Sequence, residues 1–521
     1  MNTIEILKKY KIAGATQKGS VLCVTVPKDD FTIIATSLVN EESWPLSLLY
    51  ATDDRANNKT YGVHALFSND AEHLWVLLSA ELPESDPSYN SLTVTVMAAH
   101  WYERYLHDMF GITPLGHPDL RRLVHHENVP ENIYPLRKDF SWNTKMEHAN
   151  IPYPMAHVKG EGIYEIPVGP IHAGIIEPGH FRFNVAGERI ITLEGKLFFT
   201  HKGVEKLMEG KTALEALPYA ERLSGDMAVA HALAYCQALE SLAACAVPRR
   251  AALLRALLLE LERVTMHIHD LANIGGMGTG FSFIAANGFR IKERLVRLSS
   301  DILGNRFWRG LIVPGGIAHD LSSEQLAKIL PIVKAAQKDI NKIVNIALSS
   351  EGFLDRLQTT GVLPLAAAKA FGGVGLPARA SALDRDVRRD HPDEIYSELD
   401  VKVQIKNTGD VCARYLIRIN EIAESVNLIQ SLLDKLSDTA DKKILQECAP
   451  TTGFALGAVE SWRGEIICAL YMVDGKITRC FPRDPSFCNW ALFAIIGPGN
   501  IVPDFPLCNK SLNLSYSGTD M

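Results

Sequence analysis

The sequence predicts an α+β protein, with a small N-terminal α/β domain followed by a large, mainly helical-bundle domain carrying β pieces at both ends. Three observations carry this. Up to about residue 140, β-branched and apolar runs alternate with helical patterns. From residue 201 to about 437, apolar residues recur three and four apart in one segment after another. Hairpin patterns stand on either side of that helical region, at 180–199 and 464–481.

In the first domain, SVLCVTV (20–26), YGVHALF (61–67) and HLWVLLSAEL (73–82) read as strands bounded by polar turns. TVMAAHWYERYLHDMFGI (95–112) reads as an amphipathic helix stopped by Gly111 and Pro114. Residues 138–160 are polar, hold two prolines and keep no period, which marks a linker. HFRFNVAGERIITLEGKLFF (180–199) reads as two strands around an Ala-Gly-Glu turn. Helices follow at 201–217, 226–245, 248–272, 290–303 and 323–348, and they predict a bundle. GEIICALYMVDGKITRCF (464–481) then turns at Asp474-Gly475, a hairpin dipeptide. The expected division is 1–140, a linker at 141–160, and 161–521. A chain of 521 residues is too long for one compact core, which agrees with such a division.

Composition narrows the function. A net charge of −7 gives no global attraction to nucleic acid or anionic lipid. The first twenty residues lack the apolar core of a signal peptide. The most apolar run, 251–264, is interrupted by Arg255, Glu260, Glu262 and Arg263 and is a poor membrane span. Nine cysteines, an odd number with no Cys-x-x-Cys pair, predict reduced thiols in a cytosolic compartment. Cys480 with Cys488, or Cys236 with Cys245, fits no standard zinc or cluster spacing.

Several segments carry candidate chemistry. WYERYLHDMFGI (101–112), GHPDLRRL (116–123) and PLRKDF (135–140) are dense in charge and aromatics. They read either as a docking surface, with Arg121, Arg122, Arg137 and Lys138 as cationic contacts, or as a solvated helix and loop. GPIHAGIIEPGHFRF (169–183) presents His172 and His180 from a Gly/Pro-rich loop, a way to offer imidazoles to a redox ligand or simply a surface turn. MHIHDLANIGGMGTG (266–280) holds His267, His269 and Asp270. Residues two apart on a helix do not share a face, so scaffold is the better reading than metal.

The three charged segments resemble, in order and over about forty residues, the signature of the 30 kDa subunit of respiratory complex I. The 169–183 loop resembles the Gly-Pro-x-His loop of the 49 kDa complex I subunit, and its hydrogenase version more closely. HKGVEKLMEGKTALEALPYAERLSGDM (201–227) resembles the His-Arg-Gly-x-Glu-Lys stretch shared by complex I and nickel–iron hydrogenases. The tail SLNLSYSGTD resembles the hydrogenase end that closes the metal site with Asp-Pro-Cys-x-x-Cys. The resemblance covers nearly the whole chain. It implies a 30 kDa-like module fused to a 49 kDa-like, hydrogenase-large-subunit-like domain, closest to the energy-converting, formate hydrogenlyase-type and hydrogenase-4-type branch.

The departures matter as much. Ser224, Met227, Ser515 and Gly518 stand where the four nickel-ligand cysteines would be. Nickel and iron there need soft, anionic thiolates. Pro178 falls where complex I has a quinone-contacting histidine, and Gly225 where it has a quinone-binding tyrosine. Asp226 is an addition able to titrate, hydrogen-bond or favour a helix N-terminus. Arg222 matches an arginine that in complex I lies near a partner's terminal iron–sulfur cluster, and pairing with Glu221 is its plainer role. With Met521 as the last residue, little remains for the C-terminal processing that accompanies nickel insertion in such hydrogenases.

The expectation is thus a peripheral-arm subunit of a complex I-like, hydrogenase-related oxidoreductase on the inner face of the cell membrane. It would couple electron transfer to ion translocation and lack a nickel–iron site. A cavity lined by His172, His180, Arg222, Ser224, Asp226 and Met227 would bind a quinone-like acceptor or act as a relay. The chain would bind no cofactor of its own, with quinone a candidate ligand and an iron–sulfur cluster in a partner. Expected partners are a small iron–sulfur subunit of the hydrogenase small subunit or complex I 20 kDa type, and antiporter-like membrane-arm subunits. A quinone-binding subunit of an NADH-quinone oxidoreductase, working beside an NAD-binding module, and a non-catalytic scaffold are the alternatives.

Overall fold

The computed structural model describes every residue except 1–2, 11, 13, 173–175, 441 and 450. In the N-terminal part, five strands form one sheet in the order Thr16–Lys18, Val21–Thr25, Leu74–Pro83, Thr60–Asn69, Leu46–Asp53. Only Val21–Thr25 and Leu74–Pro83 run parallel. Leu46–Asp53 is buried along its whole length, so it shows no polar alternation. The helix Lys28–Asn40 lies against the sheet through Phe31, Ile34, Ala35 and Leu38.

The signature helix runs His100–Phe110, shorter than the predicted 95–112, after a 3-10 turn at Met97–Ala99. Its start is fixed by Glu103, whose carboxylate accepts the N–H groups of Leu92 (2.7 Å) and Thr93 (3.2 Å) and the hydroxyls of Ser91 and Thr93. Those bonds hold 91–93 as a turn and keep it out of the helix. Gly111 ends the helix at φ 72°, and a Cβ there would lie 2.5 Å from Arg137. Residues 141–160 contain no helix or strand, and 149–158 hydrogen-bonds onto Asn128, Glu127, Glu194 and Asn184.

The larger part opens with a three-stranded antiparallel sheet, Ile163–Val168, His180–Ala186 and Arg189–Lys196. Its core is a bundle in which Arg249–Asn273 packs between Val411–Asp438 and Ser282–Leu303, with Ser323–Leu348 outside and Ala228–Leu242 on another flank. Arg249–Asn273 is buried on nearly all sides, charged residues included. A second antiparallel sheet, Gly453–Glu460, Glu465–Val473 and Lys476–Arg483, contains the predicted hairpin, with Asp474 and Gly475 both at positive φ. Gly457 lets this sheet approach the Ala228–Leu242 helix, since a Cβ there would lie 1.9 Å from Ala234 O.

The charged segments 101–140 make many of their contacts within the chain, some among themselves and some to the larger part. Tyr105 donates to buried Glu205, which also takes Arg479, and Arg479 Nε donates to Ala51 O at 2.9 Å. Arg121 pairs with Asp119 and Glu194, Lys138 with Glu209, and Arg137 Nε donates to Phe110 O. Arg122 donates to the carbonyls of His126 and Val129. Lys196 Nζ and the Asp108 carboxylate grip opposite backbone groups of 122–125. Asp70 and Arg385, 2.9 Å apart, and His391 stacked on Trp75 at 4.0 Å make a second seam.

Removing one member of a buried ion pair leaves an uncompensated charge, typically at a cost of about 3–5 kcal/mol. Arg479→Met should therefore lower unfolding stability by roughly that amount, and Glu205→Gln added to it should restore much of the loss. Urea unfolding of the two variants checks this; equal losses would dismiss the pair as the seam's anchor.

Candidate functional site

Ser224, Asp226 and Met227 form the turn that enters the Ala228–Leu242 helix. Met227 N–H donates to Ser224 O at 3.1 Å, and Met227 is the residue before the first helical turn. Ser515 caps the last helix, Tyr516–Asp520, by accepting the Gly518 N–H at 2.9 Å. The fold brings the two turns together. Ser224 Oγ lies 2.9 Å from Ser515 Oγ and 2.8 Å from Asp226 Oδ1. Met227 packs with Met266 and Trp462. Two pairs of positions, 224/227 and 515/518, separated by 291 residues in sequence, thus share one small region.

Arg463 lies across this region. It grips Asp226 with two parallel bonds of 2.7 Å, donates from Nε to Asn513 O, and stacks on Trp462 at 3.9 Å. Trp462 Nε1 donates to Asp226 O at 3.0 Å, so the acid is held by side chain and backbone. Burial alone would raise the Asp226 carboxyl; Arg463, followed by the Ser224 hydroxyl, brings it down to about 2. Asp226 is a fixed carboxylate near neutral pH, which removes it as a titrating group and corrects that expectation. Its side chain remains 32% exposed, at the edge of the site.

Behind the pair, Asp484 takes His231 Nε2 at 3.0 Å and caps the Pro485–Asn489 helix through Ser486 N–H. Burial would raise its carboxyl, but His231 and Arg463 carry it below the usual range. A Cβ on Gly518 would lie 2.3 Å from Asp484 Oδ2. Asn513 Nδ2 donates to Asp270 at 2.6 Å, and Arg418 holds the other Asp270 oxygen at 2.8 Å. Asp270 is structural, as its helical spacing suggested. His267 turns to Glu421 at 2.6 Å while His269 faces Asn273 and Lys292. Burial lowers both imidazoles, His269 to about 4.

The remaining residues separate. His172 Nε2 stands 3.5 Å from the Tyr516 hydroxyl, so its loop meets the C-terminal turn. Gly179 faces the same ring, and a Cβ there would lie 2.5 Å from Tyr516 Cε1. Residues 173–175 of this loop lie outside the described residues. His180 instead engages Gly169 O at 3.3 Å and Arg182 at 3.5 Å. Arg222 does not line the site. Its side chain is 57% exposed, donates to Pro218 O and lies 3.8 Å from Glu221, because the turn buries Leu223 and points its neighbour outward.

Arg463, Asp484, His231 and Glu262 were not singled out from sequence. Arg463 stands just before the 464–481 hairpin pattern, and nothing around it signals a partner 237 residues away. Among the described residues, no group of three or more His, Cys, Asp or Glu is placed to hold a metal ion. Two hydroxyls, a thioether and a glycine offer no thiolate, and a guanidinium beside them opposes a further cation. These residues do not fit nickel or iron.

Asp226→Ala leaves buried Arg463 without its counter-ion and should cost about 3–5 kcal/mol, whereas Asp226→Ala with Arg463→Met should recover most of it. The folded Asp226 carboxyl lies below its ordinary value of 3.8. The stability it contributes is therefore present above about pH 4 and lost as pH falls through about 2. Thermal melts of the wild type and of Asp226→Ala from pH 2 to 8 check the sign; a wild-type advantage lost only at alkaline pH would contradict it.

Residues 24–146 match the family described as the 30 Kd subunit of respiratory-chain NADH dehydrogenase, and residues 278–449 match its 49 Kd subunit. Formate hydrogenlyase subunit 5 of Escherichia coli (strain K12) is 33% identical over 518 residues, spanning 97% of this chain and 90% of that protein. Hydrogenase-4 component G of the same organism is 33% identical over 490 residues, 92% and 84%. An NADH-quinone oxidoreductase subunit (type C/D) of Bdellovibrio bacteriovorus is 27% identical over 564 residues, 99% of each. Among solved structures, a chain of the membrane-bound sulfane sulfur reductase, an archaeal respiratory membrane complex, superposes with a TM-score of 0.65 at 23% identity. That likeness covers 70% of this chain and all of the other, and it speaks for the fold. The chain belongs to the family of fused 30 kDa/49 kDa complex I-like subunits that includes formate hydrogenlyase subunit 5 and hydrogenase-4 component G.

Proposed function

We propose that this chain is the peripheral-arm subunit of a membrane-associated, hydrogenase-related oxidoreductase complex, and that it couples electron transfer to ion translocation without a nickel–iron centre. The observation that carries this is the Asp226–Arg463 pair with the Ser224–Ser515 bond in the place where the resemblance puts metal ligands. The relatives are subunits of hydrogenases and NADH-quinone oxidoreductases, which supports a place in a complex of that kind. Among the described residues no helix is long and apolar enough to cross a membrane. The reading assigns membrane crossing to partner subunits of the antiporter-like kind, with the chain peripheral on the inner face.

In the same reading, a small iron–sulfur subunit docks near Arg222, whose exposed guanidinium is available to an acidic or electron-accepting neighbour. The chain carries no cofactor of its own. Quinone reduction and a purely structural role are the competing outcomes. Affinity purification of the tagged protein from gently solubilised membranes, with mass spectrometry and nickel analysis, decides among them. A small iron–sulfur subunit with antiporter-like proteins and far less than one nickel per chain is expected. Flavin- and NADH-module subunits would favour quinone reduction, and stoichiometric nickel would defeat the proposal. Arg222→Glu should reduce recovery of the iron–sulfur partner while leaving the melting temperature of the chain unchanged.

A further inference from the structure

Most of the buried carboxylates around the site have cations. Asp226 pairs with Arg463, Asp270 with Arg418, Glu260 with Arg263 and Arg388, Glu421 with Arg379 and His267, and Glu460 with Arg379. Glu262 is buried as deeply, yet its oxygens accept only peptide N–H groups, from Val229 at 2.9 Å and Ala230 at 3.3 Å. Among the described residues it forms no ion pair. Those two N–H groups belong to the first turn of the Ala228–Leu242 helix, directly after Met227. Met266, one turn along on the same face of Glu262's own helix, packs with Met227 and Trp462. The carboxyl therefore sits against the turn that enters the site.

A buried carboxylate without a cation favours its protonated form, while two helix N-terminal N–H groups favour ionisation. Glu262 is held between these limits. Burial raises it, the Val229 and Ala230 N–H groups lower it, Asp226 raises it, and Arg263 lowers it, for a value of about 8. On its own helix, Glu260 and Arg263 are engaged with each other, and Arg263 also donates to Glu460 O and Ser461 O. From the entering turn comes Asp226, which Arg463 meets from the strand connection at 461–464.

We propose that Glu262 is a proton-binding site linked to the Asp226–Arg463 pair. While the pair is closed, its two charges largely cancel and the Glu262 carboxyl keeps its proton. When Asp226 separates from Arg463, the unbalanced guanidinium favours the carboxylate, the O–H bond breaks and the proton passes to solvent water. By reciprocity, ionisation of Glu262 loosens the hold of Asp226 on Arg463. This deepens the coupling role proposed above by naming a ligand for it, a proton. The inference rests on that reading only for its purpose, because proton binding is measurable on the purified full chain without partners.

The test is the infrared carbonyl band of protonated carboxylic acid, followed from pH 5 to 10 in the intact chain. Glu460 and Asp520 are also raised, to about 7 and about 6, so only the component lost in Glu262→Gln counts. That component should vanish with a midpoint near pH 8. Asp226→Asn should move the midpoint down, and Arg463→Gln should move it up, each by about 1–3 units. The opposite signs keep the test intact if one of the two variants does not fold. Unfolding equilibria give an independent readout. The folded value lies above the ordinary 4.5, so the Glu262 contribution is complete below that pH and lost as pH rises through about 8. The unfolding constant of the wild type should therefore rise about tenfold per pH unit against Glu262→Gln within that window. An unchanged band in Glu262→Gln, or a midpoint indifferent to both charge variants, would overturn the proposal. Loss of partners in the purification with a normal titration would instead count against the assembly role alone.

Discussion

Charge balance at Arg463 is the constraint on which the site depends. The buried Arg463 guanidinium finds its counter-charge in bidentate contact with one carboxylate, Asp226. To reach it, Asp226 must sit in the turn before the Ala228–Leu242 helix, and Trp462 must lie flat under Arg463 while bonding the Asp226 carbonyl. The same arginine takes Asn513 O, which fixes the approach of the C-terminal segment. One ion pair thereby ties three distant stretches of chain, and the Ser224–Ser515 contact follows from that placement.

The same logic extends through the molecule. Arg263, Arg379, Arg388, Arg418, Arg479 and Arg483 are all buried, and each meets a carboxylate inside. Such pairs add little net stability against a well-packed apolar alternative, but each one penalises any arrangement that separates its members. They set register between helices and between the two modules. The Tyr105–Glu205–Arg479 contact does so at the seam, where a shift of one residue would strand a charge.

Local signals in the sequence were reliable where local physics decides. Asp474-Gly475 specified its hairpin, the helical periods from 226 onward specified the bundle while 201–217 broke into the short helices Val204–Met208 and Ala213–Ala220, and the departures at 224, 227, 515 and 518 marked a region that the fold assembles. Long-range pairing was not legible. The 46–53 strand is buried on both faces and carries no alternation, and Lys28–Asn40 has only a modest apolar stripe, so neither stood out. Arg121, Arg122, Arg137 and Lys138 looked like a surface because nothing in a charged stretch says that its partners lie within the same chain. Asp226 looked titratable until its counter-ion was located, whereas Glu262, which lacks one, looked like an ordinary interruption of an apolar run.

Gly518 lies under Asp484 with no room for even a methyl group, and Asp484 is itself pinned by His231 and by the helix it caps. A single substitution that placed a thiol at 518 would meet that carboxylate before it could meet a metal. Acquiring a full thiolate set would require concerted change at four positions, with Asp484 and the Arg463 pair rearranged together. The change at 518 carries a clash, and moving Asp226 away from Arg463 strands a charge. The geometry therefore acts as an evolutionary ratchet: descendants of this chain can diversify around the occupied site far more readily than they can take up thiolate-bound metal chemistry there.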